Sequence, residues 1–322
     1  MRWYVKSAIQ NAMAMLPDAV AWPLYYQLQR NFGELKNPRF DMRFRAAADI
    51  AGALATHHDG IAGKTLLEVG TGRSVDVPMV LWLLGAGRVI TVDLTHLLRA
   101  EIVDQSIRYL IDGWDEFRPL FAPHVDEALL DARFEALTLE ARGGVGEADL
   151  PRLLRRLDID YRSPADASRL DLPDGSVDAH FSFVVLQHVP RREILAILRE
   201  GRRVLKQDGR MIHVANTGDH FAHVDPSLSP LHFLRYSERQ WNLIAGNPFM
   251  YQNRMRADDY YQVFREAGLE LVHTDELIDD QALSDRRAGI PLHPDFRGRE
   301  PERDAVIRFA TVLCRDDAEA SS

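Results

Sequence analysis

The segment Glu68-Val69-Gly70-Thr71-Gly72-Arg73-Ser74 sets two glycines where an apolar run gives way to a helical pattern. Glycine lacks the Cβ that would hold a ligand off the main chain, and a helix start offers unpaired N–H groups. A dinucleotide fingerprint would need a third glycine at position 75, which is Val75. Asp93 ends the next apolar run, 21 positions after Gly72, where a carboxylate can accept hydrogen bonds from both hydroxyls of a ribose. Three histidines stand at later strand ends: His188, then His220 and His223 within Asn216–Asp225. Imidazole exchanges a proton near neutral pH, so each is a candidate general base. His188 reads equally well as a cap on the following helix. Asp219, His220, His223 and Asp225 admit three readings: hydrogen-bonded residues of a lid, a base among them, or ligands of a divalent cation. No helix fixes both imidazoles on one face, and no metal is expected.

The elements that must position these residues alternate between strand and helix, the pattern of a parallel sheet. Strands are expected at 65–69, 88–93, 159–162, 177–183, 210–215 (after an Asp-Gly turn), 269–274 and 307–313. Helices are expected at 40–58, 78–84, 191–205 and 257–267. Residues 95–157 are too long and too charged for one connection and predict a helical insertion. Residues 217–256, rich in aromatics and histidine, predict an irregular one. Phe233, Tyr236, Trp241, Phe249 and Tyr251 there suit a packed lid and an acceptor pocket, and Arg235, Arg254 and Arg256 could grip an anion or pair with nearby acids.

The chain has 322 residues, 46% hydrophobic and 27% charged, an ordinary globular balance. With 39 Lys and Arg against 48 Asp and Glu, its net charge of −9 disfavours bulk binding to nucleic acid. The single cysteine, Cys314, excludes an intramolecular disulfide and a site built from several thiolates, and suits a reducing cytoplasm. No run is long enough to span a bilayer. Val5, Ala8, Ile9, Ala12, Met13 and Leu16 share a helical face over residues 3–16, with Pro17 and Pro23 as punctuation. That face predicts a helix packed on the domain or over the site, a homodimer contact, or a membrane-surface helix. The domains expected are an N-terminal arm or lid at 1–58, a ligand-binding domain at 59–316 with insertions at about 100–157 and 217–256, and a flexible tail at 317–322.

Four matches, in order along the chain, resemble the class I S-adenosylmethionine (SAM)-dependent methyltransferases of the type that modifies small molecules. They are Glu68-x-Gly70-x-Gly72, Asp93, Asp166-Ala167, and Leu172-Pro-Asp-Gly-Ser-x-Asp178 with His188 behind it. The resemblance implies a Rossmann-like, seven-stranded, doubly wound α/β sheet and SAM as cofactor, released as S-adenosylhomocysteine. It implies that Glu68, Gly70, Thr71 and Gly72 line the methionine and ribose side and that Asp93, with Leu94 beside it, holds the ribose. Asp166 would take the adenine amino group, with Ala167 adjacent and Asp171 as the competing choice, and Ser182 and Phe183 would sit near the sulfonium. Ser74 stands where the family often has a third glycine, and the distance from Asp93 to Asp166 is long for it. A loose likeness of residues 216–260 to enzymes of glycan clusters suggests O- or N-methylation of a small molecule or sugar-containing precursor. A non-catalytic SAM-binding subunit is the alternative, and a nucleotide-dependent oxidoreductase is disfavoured by Val75. Ser182-Phe183-Val184-Val185 is not the Asn-Pro-Pro-aromatic signature of enzymes that methylate a base.

Overall fold

The computed structural model describes residues 1–316, so the tail expected at 317–322 lies outside the described residues. Two helices, α1 (Trp3–Met13) and α2 (Asp18–Phe32), form the N-terminal arm. Pro17 separates them, whereas Pro23 lies inside α2 in its second turn and does not interrupt it. The third helix, α3 (Phe40–His57), buries Phe44, Ala47, Ile50, Ala51 and Leu54 at the spacing of one helical face. That face packs into the main core. The stretch expected as an arm through residue 58 therefore divides: α3 belongs to the sheet domain.

Strand β1 (Thr65–Val69) leads through the glycine turn into α4 (Asp76–Leu83), whose residues are all buried. Strand β2 (Arg88–Val92) follows. The first insertion is helical as expected: α5 (Ala100–Asp112), α6 (Trp114–Phe121), α7 (Glu127–Glu140) and α8 (Leu150–Arg156). They join α3 and α4 in one core on one face of the sheet. Then come β3 (Ile159–Arg162), β4 (Val177–Phe183), α9 (Arg191–Val204) and β5 (Leu205–Asn216). In β5 the Asp208-Gly209 pair makes a bulge rather than a turn before the strand: pairing with β4 jumps from Val177–Leu205 to Ala179–Arg210. A Cβ on Gly209 would lie 2.8 Å from the Asp178 carbonyl, so only glycine lets the backbones pass.

Past β5 the second insertion carries α10 (Glu238–Ala245), and α11 (Ala257–Glu266) returns the chain to the sheet. Strands β6 (Leu269–Ile278) and β7 (Val306–Arg315) are longer than the pattern suggests, and α12 (Asp280–Arg287) and α13 (Pro301–Asp304) stand between them. The sheet order is β3-β2-β1-β4-β5-β7-β6, with β7 antiparallel to both neighbours. This is the class I methyltransferase arrangement. Helices α9 and α11 cover the face opposite α3 and α4. A third core joins the second insertion to the 280–305 segment: Phe221, Phe233, Trp241, Ala282 and Leu292, with Trp3 of the arm against them.

Candidate functional site

The glycine turn lies at the carboxyl edge of the parallel strands, where such sheets bind ligands. Gly70 (φ +91°) donates its N–H to the Val92 carbonyl at 2.8 Å, and a Cβ there would come within 2.4 Å of Val185. Gly72 (φ +68°) has nothing within 4 Å of where its Cβ would be, so its backbone faces open space. Its N–H donates to Asp93 Oδ2 at 2.8 Å, while the Thr95 N–H donates to Oδ1 at 2.9 Å. The turn and the Asp93 carboxylate are therefore held as one unit, and partial burial pushes the Asp93 carboxyl up. Behind them, Thr91 donates to the fully buried Glu68 at 2.5 Å and stands 2.5 Å from the Thr71 hydroxyl. Burial pushes Glu68 up to about 8, so at neutral pH it is largely protonated.

The other residues expected around the cofactor divide. The Ala165 N–H donates to the Asp93 carbonyl at 2.9 Å, which sets Asp166 one residue from a backbone tie to Asp93. The Asp166 carboxylate accepts from the Ser168 N–H and hydroxyl, which hold it below the usual carboxylate range, and its side chain is exposed. Asp171 has no such tie to Asp93; its carbonyl accepts from Arg162. Leu94 is 71% exposed beside Asp93, and Ala167 is buried in the core against α9. Phe183 is half-buried at the strand end. The Ser182 side chain is not brought to the site. Alternation along β4 turns it to the opposite face from Phe181 and Phe183, where its hydroxyl pairs with His213 Nδ1 at 2.9 Å in full burial. Val184, next in the chain, has φ +51°, a strained value for a β-branched residue.

The three candidate histidines come together. His188 and His220 have ring centroids 5.0 Å apart, and His220 stacks on His223 at 5.4 Å. His188 Nδ1 lies 2.8 Å from the Tyr251 carbonyl. A carbonyl can only accept, so Nδ1 carries the proton and Nε2 keeps its lone pair. Burial lowers the pKa of His188 and takes His220 well below the usual histidine value, so both rings are neutral at pH 7. The two neighbouring carboxylates are engaged elsewhere. Asp219 accepts from the Phe221 N–H at 2.8 Å and from His232 Nδ1 at 3.1 Å, and Asp225 accepts from the Trp3 N–H and the Ser227 hydroxyl. Among the described residues no group of three or more His, Cys, Asp or Glu side chains is placed to hold a metal ion.

The arm closes over this region with the face opposite to the expected one. Val5, Ala8, Ile9, Ala12 and Leu16 are exposed, and only Met13 of the predicted stripe is buried. The docked face carries Trp3, Lys6, Ser7 and Gln10, with Asn11 at its edge. Trp3 packs on Phe221 and His232 at 5.6 and 5.1 Å. Ser7 donates to the Ile244 carbonyl at 2.7 Å, and Gln10 donates to Tyr25 and to the Phe249 carbonyl. Phe249 in turn packs at a tilt against Trp22 and Tyr25, with ring centroids 4.8 and 4.5 Å away. On the cofactor side, the Arg73 and Arg99 guanidinium groups lie 5.0 and 5.5 Å from the ring of Tyr26 in α2.

Lys6, Tyr25, Arg73, Asp93, His188 and His220 share one property: each is surrounded by protein on most sides yet keeps part of its surface open to water. Their charges also act on one another: Lys6 on His220, and Arg73 on Tyr25. A separate groove of about 710 Å³ beside β3 and α8, lined by Arg88, His96, Glu147 and Tyr161, contains none of them. Sequence reasoning assigned no site role to Lys6 or Tyr25. The one signal for Lys6 is that it is the single charged residue of Trp3–Met13.

Residues 149–213, from the start of α8 into β5, match a family described as a methyltransferase domain. No curated protein sequence matches the chain. Among solved structures, a geranyl diphosphate C-methyltransferase from Streptomyces coelicolor A3(2) aligns over 84% of this chain and 80% of its own, at 14% identity and a TM-score of 0.46. A 1,6-didemethyltoxoflavin-N1-methyltransferase from Burkholderia thailandensis covers 94% of this chain and 91% of its own, at 13% identity and a TM-score of 0.46. An S-adenosylmethionine-dependent methyltransferase from Mesorhizobium loti covers 84% and 100%, at 14% identity and a TM-score of 0.42.

Proposed function

We propose that this chain, a class I SAM-dependent methyltransferase by its strand order and its 149–213 match, moves the methyl group to an O or N atom of a small molecule or sugar-containing precursor. The observation that carries this reading is the cluster His188–His220–His223, gathered from two separate segments. A hydroxyl or ammonium acceptor must lose a proton, and neutral imidazoles are suited to take it.

SAM supplies a methyl group already activated by the sulfonium, so the protein's work is positioning and exclusion of water. The Gly70–Gly72 turn offers backbone at close range, and Asp93, held by two N–H groups, offers its remaining lone pairs to ribose hydroxyls. Asp166 is the acceptor for an adenine amino group. A protonated Glu68 adds no charge to the cofactor end. The arm, docked on the second insertion, covers one side of the histidine cluster.

Calorimetric titration with S-adenosylhomocysteine tests the cofactor half. Micromolar binding to wild type, weakened ~10-fold or more by Asp93→Ala, is the expected result, equivalent to ~1.4 kcal/mol. No binding to wild type would overturn the reading. A screen of acceptors for S-adenosylhomocysteine release then tests the rest. His220→Gln should lower kcat on any acceptor found by ~100-fold with cofactor affinity unchanged.

A further inference from the structure

Lys6 stands where a docked amphipathic helix would normally place an apolar residue. Positions 3, 6, 7 and 10 of α1 lie on one face, and that face is pressed onto the second insertion by Trp3, Ser7 and Gln10. The chain's other half-buried lysines near the sheet are paired: Lys64 with Asp59 at 2.8 Å and Lys206 with Asp178 at 2.7 Å. The Lys6 ammonium group makes no hydrogen bond and no ion pair within 4 Å among the described residues. Its nearest acids, Glu34 and Asp219, act on it only at a distance, and its own charge is felt at His220. Asp219 is already held by His232 and the Phe221 N–H, and Glu34 is exposed. The Lys6 side chain is mostly covered yet reaches solvent, and a charge so placed without a counter-ion is favoured when a ligand supplies the negative partner. Arg73, whose guanidinium lies over the Tyr26 ring and makes no ion pair among the described residues, belongs to the glycine turn and so to the cofactor's end. Lys6 belongs to the histidine end, where the acceptor enters.

We infer that the acceptor carries an oxyanion, a carboxylate or a phosphate ester, and that Lys6 of the arm holds this group beside the three histidines. The inference rests on the methyltransferase reading above and narrows its substrate class. It also gives the arm a role in recognition: docking of α1 delivers the one side chain that the sheet domain lacks for an anionic acceptor.

The test uses the full chain saturated with S-adenosylhomocysteine, titrated separately with inorganic phosphate and with benzoate. The expected result is millimolar binding of one of them. Phosphate alone would identify a phosphate ester, and benzoate alone a carboxylic acid. Lys6→Met should weaken that binding ~10-fold or more, about 1.4 kcal/mol, and Lys6→Arg should largely restore it. Neither variant should change S-adenosylhomocysteine affinity. Because Lys6 has no internal partner, Lys6→Met should melt at or above the wild-type temperature. Wild-type affinity in Lys6→Met, or no binding of either anion to the loaded wild type, overturns the inference. Equal losses of thermal stability in Lys6→Met and Glu34→Gln also overturn it, by making Lys6 a strap to Glu34. Failure of S-adenosylhomocysteine to bind Lys6→Met and wild type alike identifies the cofactor reading as the one at fault.

Discussion

Glu68→Gln should remove a pH dependence of stability that the wild-type chain cannot avoid. Glu68 is fully buried at the end of β1, accepts from Thr91 and faces no partner that would neutralise a carboxylate; Arg43, the nearest cation in effect, pairs with Asp76 at 2.9 Å. Burial raises the carboxyl from 4.5 to about 8. The folded state therefore binds a proton over a pH range in which the unfolded chain has released it. Stability from this group is fully present below pH 4.5 and is lost as pH rises toward about 8. At ~1.4 kcal/mol per pH unit, the loss across that window is up to ~5 kcal/mol. Glutamine keeps the neutral shape and the acceptor for Thr91 and does not titrate. Denaturant unfolding of both proteins at half-unit steps from pH 5 to 9 measures the difference directly. The glutamine variant should match wild type near pH 5 and exceed it by several kcal/mol at pH 9. A difference that stays flat across the range would refute the assignment of a protonated Glu68.

Two further perturbations test the rest of the framework. His180 is fully buried with neither ring nitrogen partnered, and burial lowers it to about 4, so its contribution to stability is present above pH 6.5 and lost as pH falls toward 4. His180→Leu should therefore gain on wild type by ~3 kcal/mol between pH 7.5 and pH 4, read by urea unfolding; a constant offset would contradict the argument. Arg256, buried and lowered to about 10, donates to the carbonyls of Thr217, Asp304 and Val306, and so ties the second insertion to the 280–305 segment and to β7. Arg256→Met should cost ~3 kcal/mol or more and speed proteolysis within 217–256, because the Thr217 and Asp304 carbonyls lose this donor and the Val306 carbonyl keeps only the Thr217 hydroxyl; an unchanged melting temperature would show that water replaces it.

What could be read from the sequence was set by local rules. Short apolar runs ending in glycine or aspartate give strands and a carboxyl-edge turn with few alternatives, so β1, β2, β4 and the Gly70–Asp93 unit were legible. The helical insertion was legible from length and charge alone. The docking of the arm was not, because periodicity shows which face of a helix is apolar but not what its neighbour needs. Here the second insertion presents carbonyls of Leu243, Ile244 and Phe249, and Ser7, Gln10 and Asn11 satisfy them, so the polar face turns inward. Ser182 was misplaced because motif matching gives a position along the strand, while the pleat decides which face a side chain takes. The 280–304 segment carries too few apolar residues to show a helix, and its Ala282 and Leu292 are buried by contacts supplied from 220–250.

The helical insertion between β2 and β3 also sets a timetable for assembly. Leu66 of β1 pairs with Val89 soon after it is made, but its partner on the other side, Ala179 of β4, lies roughly 110 positions later. At ~5–20 residues per second on the ribosome, that wait is ~6–20 s. During it, α3 to α8 can gather on one side of the young strand pair, because every helix of that core has emerged before β4. The other side, carrying Leu67, Val69, Ile90 and Val92, stays bare until α9 and α11 are synthesised. The nascent chain thus passes through a half-clothed stage with one β edge unpaired. In this protein the interval most exposed to misassembly is written into the chain by the same insertion that completes its core.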